Sequence, residues 1–175
     1  MGKTMVRTTS TVLLLLILVT LAAAQAATSS ESEMNARFSK VLGTDVDKVV
    51  QHYYLVKMGG VIELTAKDPN DTATITALRK YLEAQKALYE KGKNDSDAEV
   101  HGKIPDGLAT MKKMRNDITF YSTETDSGAV LRMFSVNDQA RQAVHDFMKF
   151  QISEHKTGDS PTVDQQSLRE TSRRA

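Results

Sequence analysis

The chain contains no cysteine in its 175 residues. This absence excludes disulfide bonds, a cysteine nucleophile and the acylated cysteine of a lipoprotein. The folded chain must therefore be held together by a packed hydrophobic core, and about 130 ordered residues are enough to build one. We predict a single domain.

Sequence motifs of catalysis are missing as well. The chain has no G-x-S-x-G segment, and none of its four histidines is spaced from another as H-x-H or H-x-x-x-H. Carboxylates are abundant, but several fall in predicted turns, where an aspartate caps a helix or is solvated. These are Asp68, Asp71, Asp95 and Asp97. We therefore expect a protein without enzymatic activity.

The first 26 residues have the three regions of a signal peptide. Lys3 and Arg7 supply positive charge, residues 12–24 form an uncharged apolar run, and small residues allow cleavage after Ala24 or Ala26. The apolar run is shorter than the roughly 20 residues of a membrane-spanning helix. We predict a signal peptide over 1–26 and a periplasmic or secreted mature protein without a stable membrane anchor. The alternative is an uncleaved anchor.

Neither sign of charge predominates. The whole chain has 23 Lys and Arg against 22 Asp and Glu, and the leader takes two of the basic residues, which leaves 21 against 22. A near-neutral chain without a basic block is a poor match for a polyanion. We expect no nucleic-acid partner.

Hydrophobic patterning divides the rest of the chain into three parts. Residues 27–44 are a polar linker followed by a short helix, and residues 45–156 are one domain. Residues 157–175 are polar, contain Pro161 and are predicted to be disordered, because they bury too little apolar surface to offset the entropy of ordering.

Within the domain one pattern occurs twice. A β-hairpin over 51–67 is followed by a helix that ends at a glycine, and a second hairpin over 118–136 is followed by another such helix. Residues 93–117 form a long connection between the two units, with a short helical turn at 108–114. Two ββα units predict an α+β fold, a four-stranded antiparallel sheet with two helices on one face.

Side-chain alternation assigns one face of this sheet to the helices and leaves the other for a second role. The residues expected on that second face are mixed in character: Val61, Glu63, Thr65, Val130, Arg132 and Phe134. Glu63, Arg132 and Phe134 are the candidate ligand or partner surface, a homodimer contact included, since a sizeable apolar patch often marks an interaction site. The alternative is that the linker, the N-terminal helix or the long connection covers this face.

Histidine is the second candidate, because a neutral imidazole binds copper or zinc. His145 and His155 are ten residues apart, nearly three helical turns, and cannot share one ion. A site requires the fold to bring His101 to His52 or to His155. The alternative function is therefore a periplasmic metal-binding protein that uses His52, His101 and His155 to hold Cu or Zn.

Four segments carry a likeness to known proteins: His52-Tyr53-Tyr54-Leu55, Gly59-Gly60-Val61-Ile62-Glu63, Asp68-Pro69-Asn70-Asp71-Thr72 and Phe150-Gln151-Ile152-Ser153-Glu154-His155-Lys156-Thr157-Gly158-Asp159. Through them, residues 52–159 resemble a family of small secreted or periplasmic bacterial proteins of unknown function. The resemblance implies histidines at the positions of Tyr81 and Ala84, and it matches His101 and His155. This chain therefore keeps part of a histidine pattern and lacks the helical pair.

Overall fold

The structure is a computed structural model that describes residues 30–163. The predicted signal peptide, residues 1–26, lies outside the described residues. Within the described part no helix is long and apolar enough to cross a bilayer. Its helices and strands, in chain order, are α1 (30–42), β1 (Val49–Val56), β2 (Gly59–Ala66), α2 (Thr72–Lys91), α3 (Asp95–His101), α4 (Leu108–Lys113), β3 (Thr119–Thr125), β4 (Gly128–Phe134) and α5 (Asp138–His155).

The four strands form one antiparallel sheet in the order β1-β2-β4-β3. Each hairpin pairs its own two strands, and β2 joins β4 so that Val61 lies opposite Arg132 and Glu63 opposite Val130. The two hairpin-plus-helix units therefore share one sheet, and the predicted α+β fold is confirmed.

The core lies between this sheet and the helices. α2 packs on β4 and β3, and α5 packs on β1 and β2. Both helices contact the sheet face that carries Tyr53, Leu64 and Met133. Leu78 of α2 and Phe147 of α5 have no solvent exposure. Because complete burial of such a side chain contributes about 1.5–3 kcal/mol, this interface can stabilise a chain that has no disulfide.

The ends of α2 follow from its sequence. The carboxylate of Asp71 accepts a hydrogen bond from Thr74 N at 3.0 Å, which satisfies one of the free amides of the first turn. Gly92 ends the helix at φ +64°, a left-handed conformation that costs other residues roughly 1–2 kcal/mol. The capping role predicted for Asp71 is confirmed.

Two parts of the chain are more helical than the sequence predicts. α1 begins at residue 30, near the start of the stretch 27–44 for which the sequence predicts a polar linker followed by a short helix. Met34 and Phe38 are buried one turn apart and anchor this helix to the core. α3 lies in the long connection where no helix is predicted, because its seven residues are too few to show a helical period.

Candidate functional site

A small polar cavity lies inside the domain, between the sheet and the helices α1, α2, α3 and α5. Its volume is about 20 Å³, which is room for one water molecule. Apolar and aromatic side chains form most of the wall, and six titratable side chains from four elements also reach it: Tyr53, Tyr81, Tyr89, Asp97, His101 and His155. Such a cluster is uncommon in a core, because buried polar groups need partners.

Asp97 is the acidic group of the cavity. It is 8% exposed, and its Oδ2 accepts a hydrogen bond from the hydroxyl of Tyr89 at 2.9 Å. Burial raises the pKa of Asp97 to about 7, although the Tyr89 hydroxyl acts in the opposite direction. The described residues that line the cavity include no Lys or Arg. Near neutral pH this carboxyl group is therefore close to the midpoint of its titration and has no cationic side chain beside it.

Three tyrosines line the same cavity as this carboxyl group. Burial raises the pKa of Tyr53, Tyr81 and Tyr89, and the charge of Asp97 raises each of them further, so all three stay protonated. The Tyr53 hydroxyl donates to Gln51 Oε1 at 3.1 Å. The Tyr81 hydroxyl has no hydrogen-bond partner among residues 30–163. The cavity therefore contains unused hydrogen-bonding capacity.

The fold brings His101 and His155 together at the same cavity. Their ring centroids are 5.0 Å apart and their planes cross at 72°. Burial lowers the pKa of both, that of His155 to about 3 with a further contribution from His101, so both imidazoles are neutral at pH 7. His101 Nε2 lies 3.3 Å from Gln151 Oε1, and its Nδ1 is buried with no partner among the described residues.

His52 lies elsewhere. It precedes Tyr53 on β1, so its side chain points to the sheet face opposite the helices, and its Nδ1 lies 2.8 Å from Asp159 Oδ1. The other Asp159 oxygen accepts a hydrogen bond from Tyr53 N at 2.9 Å. His52 therefore does not join His101 and His155. No group of three or more His, Asp or Glu side chains suited to a metal ion occurs in residues 30–163.

Asp159 belongs to residues 157–175, the tail that the sequence predicts to be disordered. The structure describes this segment as far as residue 163, and the two contacts of Asp159 attach it to β1. Residues 164–175 lie outside the described residues. The stretch next to α5 is thus held by a polar contact that hydrophobic patterning cannot reveal.

The outer sheet face is formed by the residues that alternation assigns to it. Glu63, Arg132 and Phe134 lie on the face opposite α2 and α5. Val61 and Val130, between them, are only 3% and 2% exposed, so the middle of this face is not an open apolar surface. Arg132 is partly buried, and this burial lowers its pKa against the opposing effect of Glu63.

An open groove lies at the Phe134 end of this face. It has a volume of about 380 Å³ and is lined by Met58, Asp117, Thr119, Phe134, Ser135 and Val136. Val136 is 86% exposed and Met58 is 37% exposed, and Tyr121, which is 53% exposed, lies against Phe134 with ring centroids 6.4 Å apart. Three of the five exposed large apolar side chains of residues 30–163 are therefore at or beside this groove.

The sequence alone does not identify most of the residues that line the cavity. Asp97 is interpreted as a solvated turn residue, and this interpretation is wrong because α3 turns the side chain into the core. A signal exists on α2, where Tyr81, Gln85 and Tyr89 follow one another at four-residue spacing and give a polar stripe beside the apolar one. Ala84, the other position implied by the family resemblance, is exposed.

The chain has no match among family models, curated proteins or solved structures. The family resemblance indicated by the sequence stays a prediction. The geometry of the cavity and of the groove is therefore the basis on which a function can be assigned.

Proposed function

We propose that the mature chain is an exported binding protein without catalytic activity, periplasmic or secreted, that takes an apolar ligand in the groove at the Phe134 end of the sheet. The observation that carries the proposal is the concentration of exposed apolar side chains around this groove. Solvent-exposed apolar surface is costly, and a contiguous patch of it is typical of an interaction site.

The size of the groove favours a small molecule as the occupant. Pockets for small molecules have volumes of about 300–1,000 Å³ and are mostly apolar, with a few polar groups that fix orientation. The groove, with about 380 Å³, falls in this range, and Asp117 and Ser135 supply its polar atoms. Arg132 lies on the same face two residues before Phe134, where its charge can attract an anionic group on the ligand. The titratable cluster, in contrast, lies in a cavity that admits about one water molecule, which supports binding rather than turnover of a substrate.

The test is the binding of anilinonaphthalene sulfonate, which joins an apolar ring system to an anion. We expect saturable binding by the native protein and affinity at least about 10-fold lower for Phe134→Asp and Val136→Asp, because each places a charge in the apolar contact. Arg132→Glu is expected to weaken binding as well. Fluorescence titration gives the dissociation constants.

Ile104→Asp is the matched control. Ile104 is 69% exposed but does not line the groove, so its replacement should leave binding unchanged. Equal loss in all variants, or none in any, would contradict the proposal. A native mass of two chains that Phe134→Asp reduces to one would assign the face to a second copy instead.

A second candidate function, metal binding, is favoured by the closeness of His101 and His155. Two neutral imidazoles can bind Cu or Zn. If they do, adding either ion raises the melting temperature by mass action, and His101→Ala abolishes the shift. His52→Ala is the control, since His52 is bound to Asp159 and should not affect the shift. A native protein whose melting temperature ignores both ions would exclude this function.

A further inference from the structure

We infer that the interior cavity is a binding site for an ammonium ion, held by the carboxylate of Asp97 and by the hydroxyl oxygen of Tyr81. This site is separate from the groove, and the inference does not depend on what the groove binds.

The first argument is charge. The carboxylate of Asp97 is buried, and its hydrogen-bond partner is the neutral hydroxyl of Tyr89. No Lys or Arg is among the described residues that line the cavity, and the two histidines there are held neutral by burial. Buried charges in proteins are paired because an unpaired one is costly. Above about pH 7, where Asp97 loses its proton, a cationic ligand supplies the positive charge that the side chains of the cavity lack.

The second argument is the set of acceptors. An ammonium ion has four N–H groups and no lone pair, so its site must offer acceptors and need no donor in return. Asp97 and Tyr81 offer oxygen atoms, and the Tyr81 hydroxyl has no partner among residues 30–163. Tyr53, Tyr89 and Phe147 also line the cavity, and aromatic rings attract cations.

The third argument is size. The volume of about 20 Å³ is that of one water molecule, and an ammonium ion is similar in size to water. A tetramethylammonium ion is several times larger and cannot enter unless the side chains of the wall move apart. The site should therefore discriminate among cations of equal charge by their volume and by their N–H groups.

The experiment compares melting temperatures in ammonium, sodium, potassium and tetramethylammonium chloride at equal ionic strength and pH 8. We expect a rise specific to ammonium, roughly 5 °C or more once its concentration exceeds the dissociation constant about 100-fold. A second readout is the proton spectrum of ¹⁵N-ammonium, in which a bound ion gives a separate, slowly exchanging signal. Equal responses to sodium and ammonium would overturn the inference, and an equal response to potassium would overturn the ammonium assignment.

Variants of the cavity complete the test. Asp97→Asn should abolish the ammonium response, and Tyr81→Phe, which removes only an oxygen atom, should reduce it at least several-fold in affinity. Tyr121→Phe is the matched control, because Tyr121 is an exposed tyrosine away from the cavity. If Asp97→Asn does not fold, Tyr81→Phe decides the matter. An unchanged response in Tyr81→Phe or in folded Asp97→Asn would contradict the site.

Discussion

Asp97→Asn is expected to convert a shallow dependence of stability on pH into one that rises by roughly 3 kcal/mol from about pH 4 to pH 6.5. The native chain contains two buried groups whose titrations oppose each other in this range, Asp97 and His155. When Asp97 is replaced, the effect of His155 on the free energy of unfolding is no longer offset. Each alone changes the free energy of unfolding by about 1.4 kcal/mol per pH unit.

The sign for Asp97 follows from its raised pKa. Burial moves it from 3.8 to about 7, so between these values the folded chain holds a proton that the unfolded chain has lost. The stability that this proton brings is complete below pH 3.8 and is lost as the pH rises through about 7. Tyr53, Tyr81 and Tyr89, which face Asp97, stay protonated throughout and add no slope.

His155 has the opposite sign. Burial lowers its pKa from 6.5 to about 3. Between these two pH values His155 is protonated in the unfolded chain and neutral in the folded chain. The corresponding stability is present above pH 6.5 and is lost as the pH falls through about 3. His101, which faces His155, has a lowered pKa and acts in the same direction.

Urea unfolding at a series of pH values measures these effects. Asp97→Asn should give the rising profile, and His155→Gln should give a profile that falls toward pH 7. The double variant should return to a shallow profile, which serves as the control. If the free energy of unfolding depends on pH in the same way in the native chain and in both single variants, the pKa values of Asp97 and His155 are not shifted by burial as expected.

Gly107→Ala should lower stability by about 3 kcal/mol or more. Gly107 precedes α4 at φ +77°, and a Cβ atom there would lie 2.0 Å from the carbonyl oxygen of Ala143 on α5. Both backbones would have to move apart, because neither contact atom belongs to a flexible side chain. This close approach sets α4 against α5 and so fixes one end of the long connection.

Gly43→Ala is the matched control for this prediction. Gly43 has nearly the same φ, +74°, but a Cβ atom added there would have no neighbouring atom within 4 Å. Its replacement should cost only the conformational strain, about 1 kcal/mol. Denaturant unfolding of both variants separates strain from the steric clash, and equal losses would argue against the tight contact of the helices.

Alternation along the two hairpins is sufficient to predict the four-stranded antiparallel sheet and the outer face with Phe134. The sequence does not predict that β2 and β4 are the strands that join the two hairpins. Alternation does not predict the groove. Met58 and Val136 follow different strands, and they come together only because Gly59 pairs with Phe134 in the antiparallel sheet. The cavity depends on α3, whose seven residues show no period. The proximity of His101 to His155 is likewise a result of helix packing, which residue spacing along the chain does not encode.

The contact of Asp159 with β1 has a consequence for how the folded chain avoids joining its sheet to that of another molecule. β1 is an outermost strand, and the amide of Tyr53 that Asp159 engages is one that a neighbouring chain would otherwise use to extend the sheet. A carboxylate in that row blocks strand-to-strand addition and places a negative charge where an incoming backbone carbonyl would have to sit. The segment after α5 thus occupies a position on the edge of β1 that strand addition would need.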